Sequence, residues 1–167
     1  GDVVLKFINP AEAADETDLQ TQVLLWLEQQ HCEVVVPKAL RNRNRGLVSD
    51  YAVGEQTYKV RAYTYLNGMA VAQAEMSEAL QQSFGVRAAQ LVMALDGFDH
   101  PALSRVLLWD VMHLSQLRDW AIEVLTQDAM GPFVFAFLDR FDATILPALR
   151  TLPQQVIHGD ISKSNTV

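Results

Sequence analysis

The chain predicts an α+β fold, with a β-rich part reaching to about Leu66 and a mostly helical remainder. Runs of β-branched and aromatic residues crowd the first part. Beyond it, apolar residues recur at helical spacing. The last residues pass from an apolar stretch into His158-Gly159-Asp160-Ile161-Ser162-Lys163-Ser164-Asn165, a polar segment with a carboxylate and an amide at its two ends.

In order, Asp2-Val3-Val4-Leu5-Lys6-Phe7-Ile8 reads as a strand with one lysine among apolar residues. Such a lysine either reaches phosphate oxygens or is a plain edge-strand cation. An amphipathic helix follows from about Thr17 to Gln30, with Leu19, Val23, Leu24 and Leu27 on one stripe and Asp15 or Thr17 as its cap. Arg41-Asn42-Arg43-Asn44-Arg45-Gly46 places alternate arginines on one strand face or in a hairpin turn, and without an aromatic platform it reads as a solvated edge or a phosphate or partner contact. Tyr58 to Leu66 is strand-like and ends at the turn signal Asn67-Gly68.

The remainder predicts helices. Ser77 caps the first, Ser83-Phe84-Gly85 breaks it, and Val86 to Leu95 resumes with Leu91, Val92 and Leu95 buried. Two or three helices fit between Pro101 and Leu125. Another runs from about Pro132 to Leu149, with Phe133, Phe137 and Phe141 as core and Pro147 bending or ending it unless it lies in the last turn. Gln155-Val156-Ile157 reads as a short buried strand, with His158 packing beneath it and Gly159 allowing a tight bend. His100 and His113 lack a second ligand at metal-binding spacing and read as turn and packing residues.

The closing segment carries the chemistry. A phosphoryl acceptor needs a carboxylate to take or orient its hydroxyl proton, and an amide oxygen a few residues later can ligate magnesium. Asp160 and Asn165 supply these groups; the plain alternative is a turn with a capping Asp and a polar Asn.

The order V-L-K, an amphipathic helix, V-R-x-x-T-Y-L-x-G, F-D-H-P-A, W-D and V-I-H-G-D-x-x-x-x-N resembles the aminoglycoside phosphotransferase and choline kinase-like superfamily, most closely its hydroxylysine kinase-like branch. The resemblance covers nearly the whole chain. It implies a protein-kinase-like two-lobe fold, with a partial small lobe over 1–66 and a helical large lobe over 67–167 that ends in the catalytic loop. It also implies magnesium with ATP or GTP as phosphoryl donor, and a small-molecule acceptor such as an amino acid or amino alcohol. By matching position, Asp160 is the catalytic base, Asn165 a metal ligand and Lys6 the phosphate-binding lysine. The Thr64 carbonyl and Leu66 amide meet the purine, Tyr63 lies near the gatekeeper place, and Lys163 approaches the γ-phosphate. Asp110 is a candidate for a substrate ammonium.

The chain also departs from the family pattern. Gln20 stands where many relatives carry the Glu that pairs with the lysine, with Asp18 and Glu16 as the acidic alternatives, depending on helix rotation. A Gly-rich hairpin before Lys6 and a D-F-G-like segment after Asn165 are missing. The expectation is therefore the middle of a longer protein, weakly active or inactive by itself.

Half the residues are apolar and a fifth charged, which suits a globular enzyme and excludes a disordered chain. The net charge of −7 argues against nucleic-acid binding. No apolar stretch approaches the roughly 18 residues of a membrane span, and no secretory leader pattern stands at the N-terminus. The single cysteine, Cys32, cannot form an internal disulfide and reads as a small packed residue, which fits a cytoplasmic setting. The resemblance allows a fused aminotransferase domain and a homo-oligomer. The rival function is a non-catalytic kinase-like module that binds nucleotide or an amine and regulates a fused enzyme.

Overall fold

The computed structural model describes residues 1–167, which pack as two compact units: Gly1–Leu103 with Gln155–Val167, and Ser104–Gln154. The boundary expected at Leu66 falls inside the first unit. The architecture is α+β.

The first unit is organised by one long strand. Strands β1 (Val3–Phe7), β2 (Ala39–Leu40) and β3 (Ser49–Val53) all pair antiparallel with β4 (Gln56–Thr64). β1 runs along one side of β4, with Lys6 opposite Arg61 and Val4 opposite Tyr63. β2 and β3 share the other side. β3 and β4 meet at a two-residue turn whose first position, Gly54, has a φ of 61° that glycine adopts without strain. Alternation along β4 sends Arg61 and Tyr63 to one face and Val60 and Ala62 to the other.

Helix α1 (Ala14–Gln29) lies on the Arg61 face and is joined to it by hydrogen bonds from the guanidinium. It begins before the expected Thr17, and neither Asp15 nor Thr17 caps it: the cap residue is Ala13, and the Thr17 hydroxyl donates to Glu12 instead. Asp15 and Glu16 still place negative charge in the first turn, where the helix dipole favours it. Further along α1, Leu27 joins Leu91 and Leu95 in a buried cluster, with Val23, Trp26, Cys32 and Val156 packed around it.

Helix α2 (Glu78–Ala94) supplies the other side of that cluster, and Ser77 caps it by accepting from Leu80 N at 3.2 Å. The expected break at Ser83-Phe84-Gly85 is absent. A glycine inside a helix costs only about 1 kcal/mol, which burial of Leu91 and Leu95 at the same helix's end offsets.

Gln155–Ile157 is not a strand. A strand needs a partner edge to satisfy its backbone groups, and no segment offers one there. Gln155 is fastened by its side chain to Val92 O at 2.8 Å, Val156 packs on the leucine cluster, and Ile157 and His158 are exposed.

The second unit contains a 3-10 run over Val111–Leu117, then α3 (Arg118–Leu125), α4 (Gly131–Arg140) and α5 (Leu146–Leu149). A π-helical turn, Phe141–Ile145, joins α4 to α5. Pro147 sits in the first turn after it, so the widened turn accommodates a residue that has no N–H and crowds the carbonyl four positions back. Of the expected phenylalanine core only Phe141 is buried; Phe133 and Phe137 are exposed. Arg118 donates to Asp139 and Asp142 at 3.0 and 2.9 Å. Ser115 and Arg118 together hold the Asp142 carboxyl below the usual carboxylate range. No helix is long and apolar enough to cross a membrane.

Candidate active site

Apart from Asp110, the residues singled out in the sequence lie in the first unit, most of them in two clusters joined by the expected hinge. The first is built around Lys6. Because β1 and β4 pair in register, Lys6 and Arg61 lie side by side on the face that α1 covers. The Lys6 ammonium donates to Gln20 Oε1 at 3.3 Å, so Gln20 faces the lysine. Asp18 points elsewhere, accepting from Gln22 at 3.1 Å and meeting His100 Nε2 at 3.1 Å.

Beside this contact lies a group that sequence reasoning did not single out. Arg61, 1% exposed, donates to Thr17 O and to Gln20 Oε1, each at 2.8 Å, and stands 3.8 Å from Glu12 Oε1. Its guanidinium also lies over the Tyr63 ring, 5.7 Å from the centroid. Burial pushes the Tyr63 phenol above its usual value, while the Arg61 charge acts the other way. A signal was present: an arginine between Val60 and Ala62 in a strand otherwise built for a core has to find partners inside the protein.

The chain runs directly from this cluster into the expected hinge. Thr64 is clasped by Lys38, its amide donating to Lys38 O at 3.0 Å and its hydroxyl accepting from Lys38 N at 2.9 Å. Tyr65 N donates to Asp2 O at 3.1 Å. Leu66 is half-buried just past these ties.

The second cluster is the H-G-D-x-x-x-x-N loop, fixed to the segment after the hinge. Val71 N donates to Thr166 O and Ala72 N to Lys163 O, both at 2.9 Å. A side chain at position 68 would press on Val167 at 3.1 Å, so Gly68 permits the close approach. Within the loop, Gly159 has a φ of 76°, the bend expected of it, and His158 Nδ1 accepts from Asp160 N at 3.3 Å. His158 is exposed rather than packed beneath a strand, because it turns back to cap this bend.

Asn165 closes the loop on Asp160. Its Nδ2 donates to Asp160 Oδ2 at 2.7 Å and to Asp160 O at 3.0 Å, while its own amide donates to Ser162 O at 3.1 Å. The contact uses the Asn165 nitrogen, so the carbonyl oxygen, a hard donor of the kind cations favour, is not engaged by it and lies next to a carboxylate. No group of three or more His, Cys, Asp or Glu is placed to hold a metal. That donor set fits magnesium, which is held through one or two protein oxygens with phosphates completing its shell. Lys163 is exposed and, with Met76, Phe84 and Ile161, lines a cavity of about 330 Å³.

Asp110 lies in the second unit, where it caps the 3-10 run by accepting from Met112 N at 2.9 Å and stands 3.9 Å from His113 Nδ1. His100 is a turn residue, as expected: its Nδ1 accepts from Ala102 N at 3.1 Å, which places the ring proton on Nε2, toward Asp18.

A family model described as the phosphotransferase enzyme family matches residues 1–167. Hydroxylysine kinase of Danio rerio is 28% identical over 99% of this chain and 48% of its own length. The Mus musculus enzyme of the same name is 27% identical over 97% of this chain and 45% of its own length. The chain thus spans about half the length of these relatives. No solved structure gives a significant match.

Proposed function

The chain belongs to the phosphotransferase enzyme family, and from that premise we propose that its full-length protein is a small-molecule kinase, moving the γ-phosphate of ATP or GTP to the hydroxyl of an amino acid or amino alcohol. The observation that carries the proposal is the Asn165–Asp160 pair, held in a loop whose backbone hangs on the residues following the hinge. The relatives named hydroxylysine kinase make a hydroxylated amino acid the first acceptor to test.

Asp160 takes the proton of the acceptor hydroxyl as that oxygen bonds to the γ-phosphorus; the bond to the β-phosphate oxygen breaks and the nucleoside diphosphate leaves. Lys6 holds the α- and β-phosphates. The Thr64 carbonyl and Leu66 amide meet the purine, with Tyr63 beside it, and Lys163 lies toward the γ-phosphate. Asn165 offers its amide oxygen to magnesium, which when bound supplies charge neutralisation for the phosphates. Asp110 is the substrate-ammonium candidate with the least room for that role, since capping engages its carboxylate. Positioning and charge carry most of the catalysis.

Gln20 favours a second reading, in which the domain binds nucleotide without transferring phosphate and regulates a fused enzyme, because an amide does not neutralise Lys6. The experiment is transfer of labelled phosphate by the full-length protein to a panel of hydroxylated amines, run beside nucleotide-dependent thermal stabilisation. Asp160→Ala should cut turnover by on the order of 10²–10⁴ and leave nucleotide binding intact. Unchanged turnover in that variant would refute the assignment, and nucleotide binding with no transfer to any acceptor supports the regulatory module.

A further inference from the structure

Lys6 is aimed by an amide oxygen, and an amide can turn end for end. Here the neighbouring charges remove that freedom. Gln20 Oε1 accepts from Lys6 Nζ at 3.3 Å and from Arg61 Nη2 at 2.8 Å, while Gln20 Nε2 donates to Glu12 Oε1 at 3.4 Å. Reversing the amide would set its N–H groups against two cationic donors and its carbonyl against a carboxylate. Both charged neighbours are themselves fixed. Arg61 is anchored to Thr17 O at 2.8 Å, and Glu12 accepts from the Thr17 hydroxyl at 2.9 Å.

The arrangement is not one that stability alone would select. Arg61 Nε is buried with no partner, and the Arg61–Glu12 separation of 3.8 Å is long for an ion pair. A buried pair of this kind is commonly no more stable than apolar side chains of the same volume. Its effect is electrostatic and geometric. A carboxylate at position 20 would pair with Lys6 directly; here the carboxylate stands one group further back, against Arg61, and an oriented amide oxygen holds the lysine.

We propose that Glu12 and Arg61 are positioning residues for Lys6, locking the Gln20 amide so that its carbonyl oxygen aims the lysine ammonium at the phosphates of the bound nucleotide. The proposal rests on the phosphotransfer reading in one respect, that Lys6 meets phosphate.

The test is a double-mutant cycle in the full-length protein, reading the affinity for magnesium–ATP and, in parallel, the KM for ATP against kcat. Glu12→Gln should weaken nucleotide binding roughly five- to twentyfold and act mainly on KM. In a Lys6→Met background the same substitution should change affinity less than about twofold, because the group it positions is gone. Equal losses in both backgrounds would reveal a merely structural role and overturn the proposal. So would an unchanged affinity for Glu12→Gln where Lys6→Met weakens binding, leaving the phosphotransfer reading standing. Unchanged affinity in Lys6→Met itself would overturn the phosphate role of Lys6 and this proposal with it. Should Glu12→Gln not fold, Gln20→Met removes the relay at a half-buried position and carries the same two expectations.

Discussion

The Lys6 corner and the Asp160 loop are built by opposite means. The corner is assembled from three separate segments, and its centre, Arg61, is buried. Its hydrogen bonds span 14 positions from Lys6 to Gln20 and 41 from Gln20 to Arg61. The loop is assembled almost within itself: the Asn165–Asp160 contact spans 5 positions, and both residues are exposed. A buried cluster fastened across strand and helix is part of what keeps the unit folded. An exposed loop is free to be shaped for chemistry, so substitutions in the two places should separate stability from turnover.

The largest expected effect belongs to the loop. Asn165→Ala removes the amide oxygen offered to magnesium and the brace on Asp160 together. Turnover of the full-length protein should fall by on the order of 10²–10³, while its urea midpoint shifts by no more than about 0.5 kcal/mol in stability. A variant that loses stability in step with activity would erase the contrast.

The corner should behave in the opposite way. Glu12→Ala leaves the buried Arg61 cation without its carboxylate. Breaking a buried pair costs about 3–5 kcal/mol when both charges are fully enclosed. With Glu12 partly exposed and the separation long, about 2 kcal/mol is expected, read as a lower urea midpoint. A change below about 0.5 kcal/mol would mean that the corner does not brace the fold.

Gly159→Ala sharpens the loop's side of the comparison. The backbone there has a φ of 76° with nothing within 4 Å of an added Cβ, so conformation alone resists the change. The cost is about 1–2 kcal/mol, and an exposed loop can relieve it by shifting. Activity should drop several-fold while the melting temperature hardly moves; an unaffected turnover would show that the bend does not set the Asp160 position.

The same contrast explains what the sequence made legible. The loop could be read because its residues are neighbours in sequence and the glycine bend is a local requirement. Resemblance to the family put Gln20 at the place of the lysine's partner but left Asp18 and Glu16 open, and the rotation of α1 decides for Gln20. Arg61 was legible only as part of a motif, because its partners Thr17 and Gln20 lie more than 40 positions away, and the role of Glu12 depends on that same long-range contact. The strand expected at Gln155–Ile157 failed for a related reason: an apolar run announces burial, but a ladder needs a second strand. Gly85 read as a breaker from local propensity, and tertiary packing of α2 overrode it, whereas Pro147 lies in the last helical turn, the place where it is tolerated.

The outer side of α1 gives the smallest effect and the control. Asp18 accepts from Gln22 and from His100 Nε2, and these contacts hold its carboxyl below the usual value. A depressed carboxylate contributes stability that is present above its unfolded pKa, near 4, and is lost as the pH falls through the lower folded value. Asp18 is mostly exposed, so solvent screening limits the contribution to about 0.2–0.5 kcal/mol. Asp18→Asn should therefore be slightly less stable than the parent at pH 6, with the difference vanishing by about pH 2, and nucleotide affinity should not change at either end. A change in nucleotide affinity would mean that α1 transmits its outer contacts to Lys6, and the corner would no longer be set by Glu12 and Arg61 alone.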